Sequence, residues 1–412
     1  MSEQTCIIIG ASHAGVNLAF SLRREKYQGR IKLFDADPTL PYHRPPLSKA
    51  YLTADDPIEK NALKSIEAYE KEDIEVNLGR SVASIDEKNK LIKLANGQTE
   101  QYTDLVIATG ARPFIPPISG LNSAQHLYPL RTAADVTKIK QAFSQSTKKR
   151  VVVIGGGYIG LETAASLKMM GATVTVLERE ERILARVTAP EMSEFFQQLH
   201  SSHGVDVLTG KNVESISTQD CLNTVRCADG DEFEADIIIV GVGIRVNTEL
   251  AATAGAEIEN GIKVDESAKT SLPNIYAIGD CAYHYNPHYG RFIRLESVQN
   301  AVDQAKVAAA AIVGKETKYD TLPWFWSDQY DVKLQIVGLS QGYDNIVRRE
   351  EADDKNKFSV WYFKGDGLLS VDAVNNAKAY VIGTKFIKGR NIVNKTKLAD
   401  SSIELKPANL LP

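Results

Sequence analysis

Cysteine is scarce. The chain of 412 residues has four, Cys6, Cys221, Cys227 and Cys281, and no C-x-x-C pair among them. That spacing excludes a zinc ribbon, an iron–sulfur cluster of the chain's own and a redox-active disulfide. Long apolar runs are missing too: the longest, such as residues 236–244, fall far short of the roughly 18 residues needed to span a bilayer. The N-terminus opens Ser2-Glu3-Gln4, with neither the basic segment nor the apolar core of a secretory signal, so a cytoplasmic protein is expected. Positive charge is not in excess: 48 Lys and Arg face 52 Asp and Glu, a formal net charge of -4, which leaves no global basic field for a nucleic-acid backbone. His284 and His288 stand four apart, but Pro287 and the aromatic residues around them point to a surface loop rather than a metal pair, so no metal is expected.

What is present is an ordinary globular composition, 43% hydrophobic and 24% charged, in a chain long enough for about two to three domains. Residues 5–9 form a short apolar β-type run. The loop Gly10-Ala11-Ser12-His13-Ala14-Gly15 follows, then an amphipathic helical stretch over residues 16–24. A second β-type run, residues 30–34, ends in Asp35, twenty residues past Gly15, where an acid can hold the hydroxyls of an adenosine ribose. Glycine in such a loop lets a pyrophosphate approach backbone N–H groups at a helix N-terminus. Ser12 stands where the middle glycine would be, so this loop alone is equally compatible with a structural turn.

Residues 151–154, Gly155-Gly156-Gly157-Tyr158-Ile159-Gly160 and residues 161–170 repeat the pattern in full form. Residues 172–177 then give a further β-type run, and Glu178 lies eighteen residues past Gly160 in the ribose position. Glu178 favours NADH over NADPH by repelling a 2'-phosphate, although Arg179 and Arg182 are both within reach of such a phosphate. Buried-type strands over residues 104–110, 236–243 and 271–281 end in small residues, the last in Gly279-Asp280, where an aspartate can hold a polyol hydroxyl. Each strand taken singly reads as generic sheet core. Their order along the chain is that of an NAD domain inserted into a split FAD domain.

With those residues in view, the chain resembles the two-dinucleotide-binding flavoprotein reductases, and within them the putidaredoxin-reductase-like ferredoxin reductases that serve bacterial oxygenases. The narrowing motif is Tyr42-His43-Arg44-Pro45-Pro46-Leu47-Ser48-Lys49, similar to that subfamily's flavin-side loop. Disulfide reductases and flavin NADH peroxidases carry a reactive Cys in the corresponding stretch, and this chain has none. Leu130-Arg131-Thr132, Arg294-Leu295-Glu296-Ser297-Val298-Gln299 and Trp324-Phe325-Trp326-Ser327-Asp328-Gln329 also resemble their counterparts there. The resemblance implies an α/β fold with two Rossmann-like domains, FAD-binding over 1–114 and 242–321 and NAD-binding over 115–241, and a small α+β C-terminal domain over 322–412. It implies FAD contacts at Gly10, Ser12, His13, Ala14, Gly15, Asp35, Arg44, Lys49, Val82, Ala108, Thr109, Gly110, Arg131, Asp280, Val298 and Trp326. NAD contacts are implied at Gly155, Gly157, Ile159, Gly160, Glu162 and Glu178, with Gly243 near the nicotinamide.

The activity implied is that of an FAD-dependent NAD(P)H:ferredoxin oxidoreductase. Without a thiol beside the flavin, electrons leave singly to a [2Fe–2S] ferredoxin feeding a P450 or Rieske oxygenase, or to a rubredoxin. Lys49, Glu162 and Trp326 are the expected catalytic side chains: a charge near flavin N5, a nicotinamide-orienting carboxylate that pairs with Lys49 when the site is empty, and a flat wall against solvent. Each has a plainer reading, as an exposed lysine, an acid capping a helix start, and a packing tryptophan. Between Lys378 and Lys397 six basic residues occur with no acidic one, which suits an acidic ferredoxin or a merely solvated face. Two other readings of the resemblance are a monodehydroascorbate- or quinone-type reductase and an apoptosis-inducing-factor-like protein that responds to NADH.

Overall fold

The computed structural model describes residues 4–351 and 354–412, which form two compact units. The first comprises Met1–His43, Pro57–Arg112 and Arg245–Pro323; the second Arg44–Asp56, Pro113–Ile244 and Trp324–Pro412. Among the described residues no helix is long and apolar enough to cross a membrane.

The first unit is built on a parallel five-stranded sheet in the order Ile275–Ala277, Asp104–Ile107, Thr5–Ile9, Arg30–Phe34, Ile74–Asn77. Alternation along Thr5–Ile9 sends Cys6 and Ile8 to one face and Ile7 and Ile9 to the other. Both faces are covered. Cys6 and Ile8 pack with the helices His13–Arg24 and Val298–Ile312, while Ile7 and Ile9 share a core with Ile85, Ile92 and Leu94 of an antiparallel three-stranded meander. Ile8 is fully buried, and truncating such a side chain costs about 2–5 kcal/mol. The buried side of Val298–Ile312 is mostly alanine, Ala301, Ala305, Ala308 and Ala309, which lets the helix His13–Arg24 come close.

The second unit repeats the plan. Its parallel sheet runs Asp206–Leu208, Thr173–Leu177, Arg150–Ile154, Ile237–Val240, Leu127–Pro129, again with an antiparallel meander over one face. In both sheets the strand preceding the glycine loop is central. Its next strand in the βαβ unit lies on one side, and a strand from far along the chain lies on the other. That reversal opens a crevice at the carboxyl ends of the two strands, where doubly wound sheets bind ligands. The same unit holds an antiparallel five-stranded sheet, Trp324–Gln329, Val332–Gly338, Gly367–Val374, Asp354–Lys364, Asn345–Glu351, with the helix Ala377–Gly389 packed on it. Arg349, almost fully buried, ties down the chain end by donating to the carbonyls of Leu398, Asp400 and Ile403 at 2.7–2.9 Å.

Several expectations change in detail. The first loop's helix begins at His13 and the second's at Tyr158, each three residues earlier than apolar periodicity indicated, because the loop amides themselves open the helix. Only Ile275–Ala277 of residues 271–281 is strand, and Gly279–Cys281 forms a 3-10 turn. His284 is not a surface residue: it is 2% exposed, and burial pushes its imidazole down to about 4. No metal-holding group of side chains occurs among the described residues.

Candidate functional site

In the first unit the loop after Thr5–Ile9 turns at Gly10, whose φ of +108° disfavours any side chain, and a Cβ there would collide with the Ala108 carbonyl oxygen. Gly15 is equally confined, against the Gly10 carbonyl, so the helix that begins at His13 lies close over the strand end. Asp35 Oδ2 accepts the Ala11 N–H at 2.5 Å and Oδ1 accepts the Asp37 N–H at 2.8 Å, fixing the carboxylate beside the loop. His13 and Ala14 are buried in the first turn, the His13 ring edge-on to His43 at 5.5 Å. The neighbouring strand end, Ala108-Thr109-Gly110, is pinned by Asn247, which donates through Nδ2 to the Thr109 carbonyl and through its backbone N–H to the Gly110 carbonyl, while its own carbonyl accepts from Thr109 Oγ1.

A buried polar cluster positions the Gly279-Asp280 turn. Gln304 Oε1 accepts the Gly279 N–H at 2.8 Å, Gln304 Nε2 meets His284 Nδ1 at 3.1 Å, and Asn300, held by the Tyr319 hydroxyl, completes the group. Arg294 donates to the Asp280 carbonyl. Val298 opens a helix capped by the Ser297 hydroxyl, and half-buried Val82 starts the meander.

In the second unit Gly155, at φ +111°, and Gly160 repeat these constraints against the carbonyls of Gly241 and Gly155. Glu178 Oε2 accepts the Gly156 N–H at 2.6 Å and Oε1 the Glu180 N–H at 2.9 Å. Gly157 differs. Its φ is an ordinary -80°, and a Cβ there would meet nothing within 4 Å. The fold itself does not require glycine at that point, whereas a phosphate approaching the helix start does; the loop therefore fits a dinucleotide. Arg179 pairs with Glu180, and Arg182 is engaged by Ser193 Oγ and the Ala185 carbonyl. Ile159 is exposed beside the loop, and Gly243 follows the strand Ile237–Val240, its carbonyl accepting the Phe114 N–H.

Also in the second unit, Lys49 Nζ and Ser48 Oγ donate to Glu162 Oε2 at 2.7 and 2.6 Å, and Ser327 Oγ donates to Glu162 Oε1 at 2.6 Å. Glu162 is the fifth residue of its helix, not an N-terminal cap, and is 2% exposed. A carboxylate so deeply buried is retained only with a counter-charge and satisfied oxygens, and it has both. Arg44 Nη1 donates to the Arg131 carbonyl at 2.6 Å, bringing those two predicted residues together. Trp326 leans on Trp324, ring centroids 5.4 Å apart.

Sequence reasoning passed over Ser48, Ser327, Gln329, His200 and Asp372. Ser327 and Gln329 sit inside a quoted motif, and strand alternation puts them together on the face opposite Trp326; only the tryptophan drew notice. Asp372 carried no local signal. It is buried in the C-terminal sheet, accepts the Tyr362 hydroxyl at 2.5 Å, and burial pushes it up to about 7. The basic stretch is partly neutralised by residues distant in sequence: Lys378 pairs with Glu404 and Lys395 with Asp366.

Residues 4–305 match the family described as Pyridine nucleotide-disulphide oxidoreductase, and residues 324–409 match Reductase C-terminal. The chain is 40% identical over 410 residues to the putidaredoxin reductase of Pseudomonas putida, covering 98% of this chain and 96% of that protein. It is 35% identical to the rubredoxin-NAD(+) reductase of Pseudomonas putida, covering 90% and 96%. Among solved structures it matches the covalent putidaredoxin reductase–putidaredoxin complex (TM-score 0.93, 39% identity, 98% of each chain). It also matches the ferredoxin reductase for the CYP199A2 system from Rhodopseudomonas palustris (TM-score 0.94, 39% identity, 99% and 100% covered).

Proposed function

The chain belongs to the pyridine nucleotide-disulphide oxidoreductase family, and from that premise we propose that it is an NADH-dependent ferredoxin reductase that delivers single electrons to a [2Fe–2S] ferredoxin serving a P450 or Rieske oxygenase. Family membership implies a flavin and a pyridine nucleotide; that these are FAD and NADH is part of the proposal. Bound FAD supplies a hydride acceptor at N5 and converts a two-electron donor into a one-electron one.

The chain's own residues bind, orient and exclude water. In the first unit the amides from Ser12 to Gly15, at a helix start, suit the FAD pyrophosphate, with Asp35 on the ribose and Asp280 on the polyol; Gly10, Val82, Ala108, Thr109, Gly110 and Val298 line the approach. In the second unit Gly155, Gly157, Ile159 and Gly160 suit the NADH pyrophosphate, Glu178 the adenosine ribose, and Gly243 the nicotinamide end. The engagement of Arg179 and Arg182 elsewhere favours NADH over NADPH. Arg44, Lys49, Arg131 and Trp326 are the proposed flavin-side groups. Lys49 offsets the negative charge that develops on a reduced flavin, Glu162 holds Lys49 and orients the nicotinamide amide, and Trp326 shields the ring from solvent. The domain division 1–114 with 242–321, 115–241 and 322–412, and a cytoplasmic location, belong to the same proposal.

The observation that carries this reading is the buried carboxylate of Glu162 receiving Ser48 and Lys49 on a segment where a thiol relay would need a cysteine. Electrons then have no disulfide to enter. A rubredoxin is the second candidate acceptor, favoured by the likeness to a rubredoxin-NAD(+) reductase. The test is NADH-driven cytochrome c reduction with and without added [2Fe–2S] ferredoxins or rubredoxins. Strong carrier dependence is expected, and a rate indifferent to carriers would transfer the protein to the small-molecule reductases.

A further inference from the structure

Behind Glu162 a line of side chains runs through the second unit. Ser327 Oγ stands 2.6 Å from Glu162 Oε1, Gln329 Nε2 is 3.2 Å from Ser327 Oγ, and His200 Nε2 is 2.8 Å from Gln329 Oε1. At the far end the Tyr330 hydroxyl is 3.5 Å from His200 Nδ1, and the Tyr330 ring stacks on His203 at 3.7 Å. Ser327, Gln329 and His200 are each no more than 1% exposed. Tyr330 holds a left-handed backbone, φ +55°, a cost for a bulky residue that its ring contacts with His200 and His203 offset.

Hydrogen-bond capacity fixes the direction of this line. An ionised carboxylate only accepts, so Ser327 must give its one proton to Glu162 and can only accept from Gln329. Gln329 therefore turns its NH2 toward Ser327 and its oxygen toward His200. The imidazole must in turn carry its proton on Nε2, leaving Nδ1 as the acceptor for Tyr330. Burial pushes the His200 imidazole below its ordinary value, in keeping with a neutral ring.

We propose that Gln329 and His200 are positioning residues for Glu162, acting through Ser327 as a one-way line of donors that holds Oε1 of the carboxylate and leaves Oε2 facing Lys49. The inference rests on the roles given above to Lys49 and Glu162, but its geometry has a signature of its own. In Glu162→Gln the new amide must keep its oxygen toward Lys49 and Ser48, both donors, and so presents its NH2 to Ser327. With Ser327 Oγ accepting from residue 162, Gln329 is the remaining partner for its proton, so each bond in the line reverses: Ser327 donates to Gln329, Gln329 flips its amide, and His200 Nε2 accepts the Gln329 N–H while the ring carries its single proton on Nδ1.

The experiment has two arms on the FAD-loaded protein. Long-range 15N–1H NMR of the histidine rings is expected to show His200 as the Nε2–H tautomer in the parent and as Nδ1–H in Glu162→Gln. In stopped flow, Gln329→Glu sets two carboxylates competing for the Ser327 proton. It is expected to lower the limiting rate of flavin reduction about tenfold, with the NADH KM within about twofold, the size of one lost hydrogen bond to a charged group. His200→Gln, which keeps an N–H at the end of the line, is expected to restore what His200→Phe loses. An unchanged tautomer in Glu162→Gln overturns the proposal, as does a parental rate in Gln329→Glu where Lys49→Met is slow. If Lys49→Met itself is as fast as the parent, the reading of Lys49 fails, and the tautomer still decides the line.

Discussion

Lys49 Nζ lies 2.7 Å from Glu162 Oε2, joining a lysine whose side chain keeps a fifth of its surface in solvent to an acid that is 2% exposed. The pair sits where the segment carrying Lys49 meets the helix of the second glycine loop, within one packed unit. Lys49→Met removes the counter-charge of Glu162 but leaves it two hydroxyl donors, so the variant should lose up to about 3–5 kcal/mol of stability while the protein that folds still takes up FAD. NADH-dependent flavin reduction should slow by about tenfold to a hundredfold, the loss of one charge-stabilising donor. Absorbance at the flavin band checks retention of the cofactor, and stopped flow checks the rate.

Glu178 spends both carboxylate oxygens on the backbone of its own neighbourhood, which holds it in the one orientation that the proposed ribose contact uses. Glu178→Ala should raise the NADH KM about tenfold while lowering kcat less than threefold, because a group remote from the hydride contributes binding that is uniform through the reaction. Steady-state kinetics over a range of NADH concentrations reads both constants.

Gly157 and Gly10 should behave oppositely. Gly157→Ala meets no atom and no backbone strain, so thermal stability should hold or rise by about 0.4–1 kcal/mol, while NADH affinity falls because the methyl enters the phosphate's path. Gly10→Ala collides with the Ala108 carbonyl at a positive φ and should yield protein that is unfolded or free of FAD. Melting curves beside NADH titrations separate the two effects.

Asp372 gives a stability signature in pH. Burial raises its folded-state pKa to about 7, the Tyr362 hydroxyl pulling the other way, so between about 4 and 7 the folded chain holds a proton that the unfolded chain has released. This group's stabilising contribution is complete below that window and is lost as pH rises through it. The difference in melting temperature, Asp372→Asn minus parent, should therefore grow in the variant's favour from pH 4 to 7 and level off above. A difference independent of pH would show that the carboxyl ionises normally.

Much of this architecture is visible in the sequence because its causes are local. Glycine spacing, a β-type run before each loop and an acid about twenty residues on follow from backbone sterics and the reach of one βαβ unit, and so Gly10, Asp35, Gly155 and Glu178 could be named in advance. The line from Glu162 to His200 could not. Its members come from three separate stretches, and polar residues such as Gln329 have no periodic signature; only the tertiary fold makes them partners. His284 misled for the converse reason: a proline and nearby aromatic residues suggested a loop, while its strand, Ala282–Asn286, turns the ring toward Gln304 and Tyr319. The basic stretch after Lys378 looked unopposed because Glu404 and Asp366 lie outside it in sequence.

The most direct measurement is an anaerobic titration of the FAD-loaded protein with NADH, coupled to a thiol count after denaturation. One equivalent of NADH per flavin should complete the bleaching, with four thiols per chain found before and after, the full cysteine complement. A second equivalent consumed together with two newly appearing thiols would mean that a disulfide takes the electrons, and would contradict a thiol-free flavin passing them on singly.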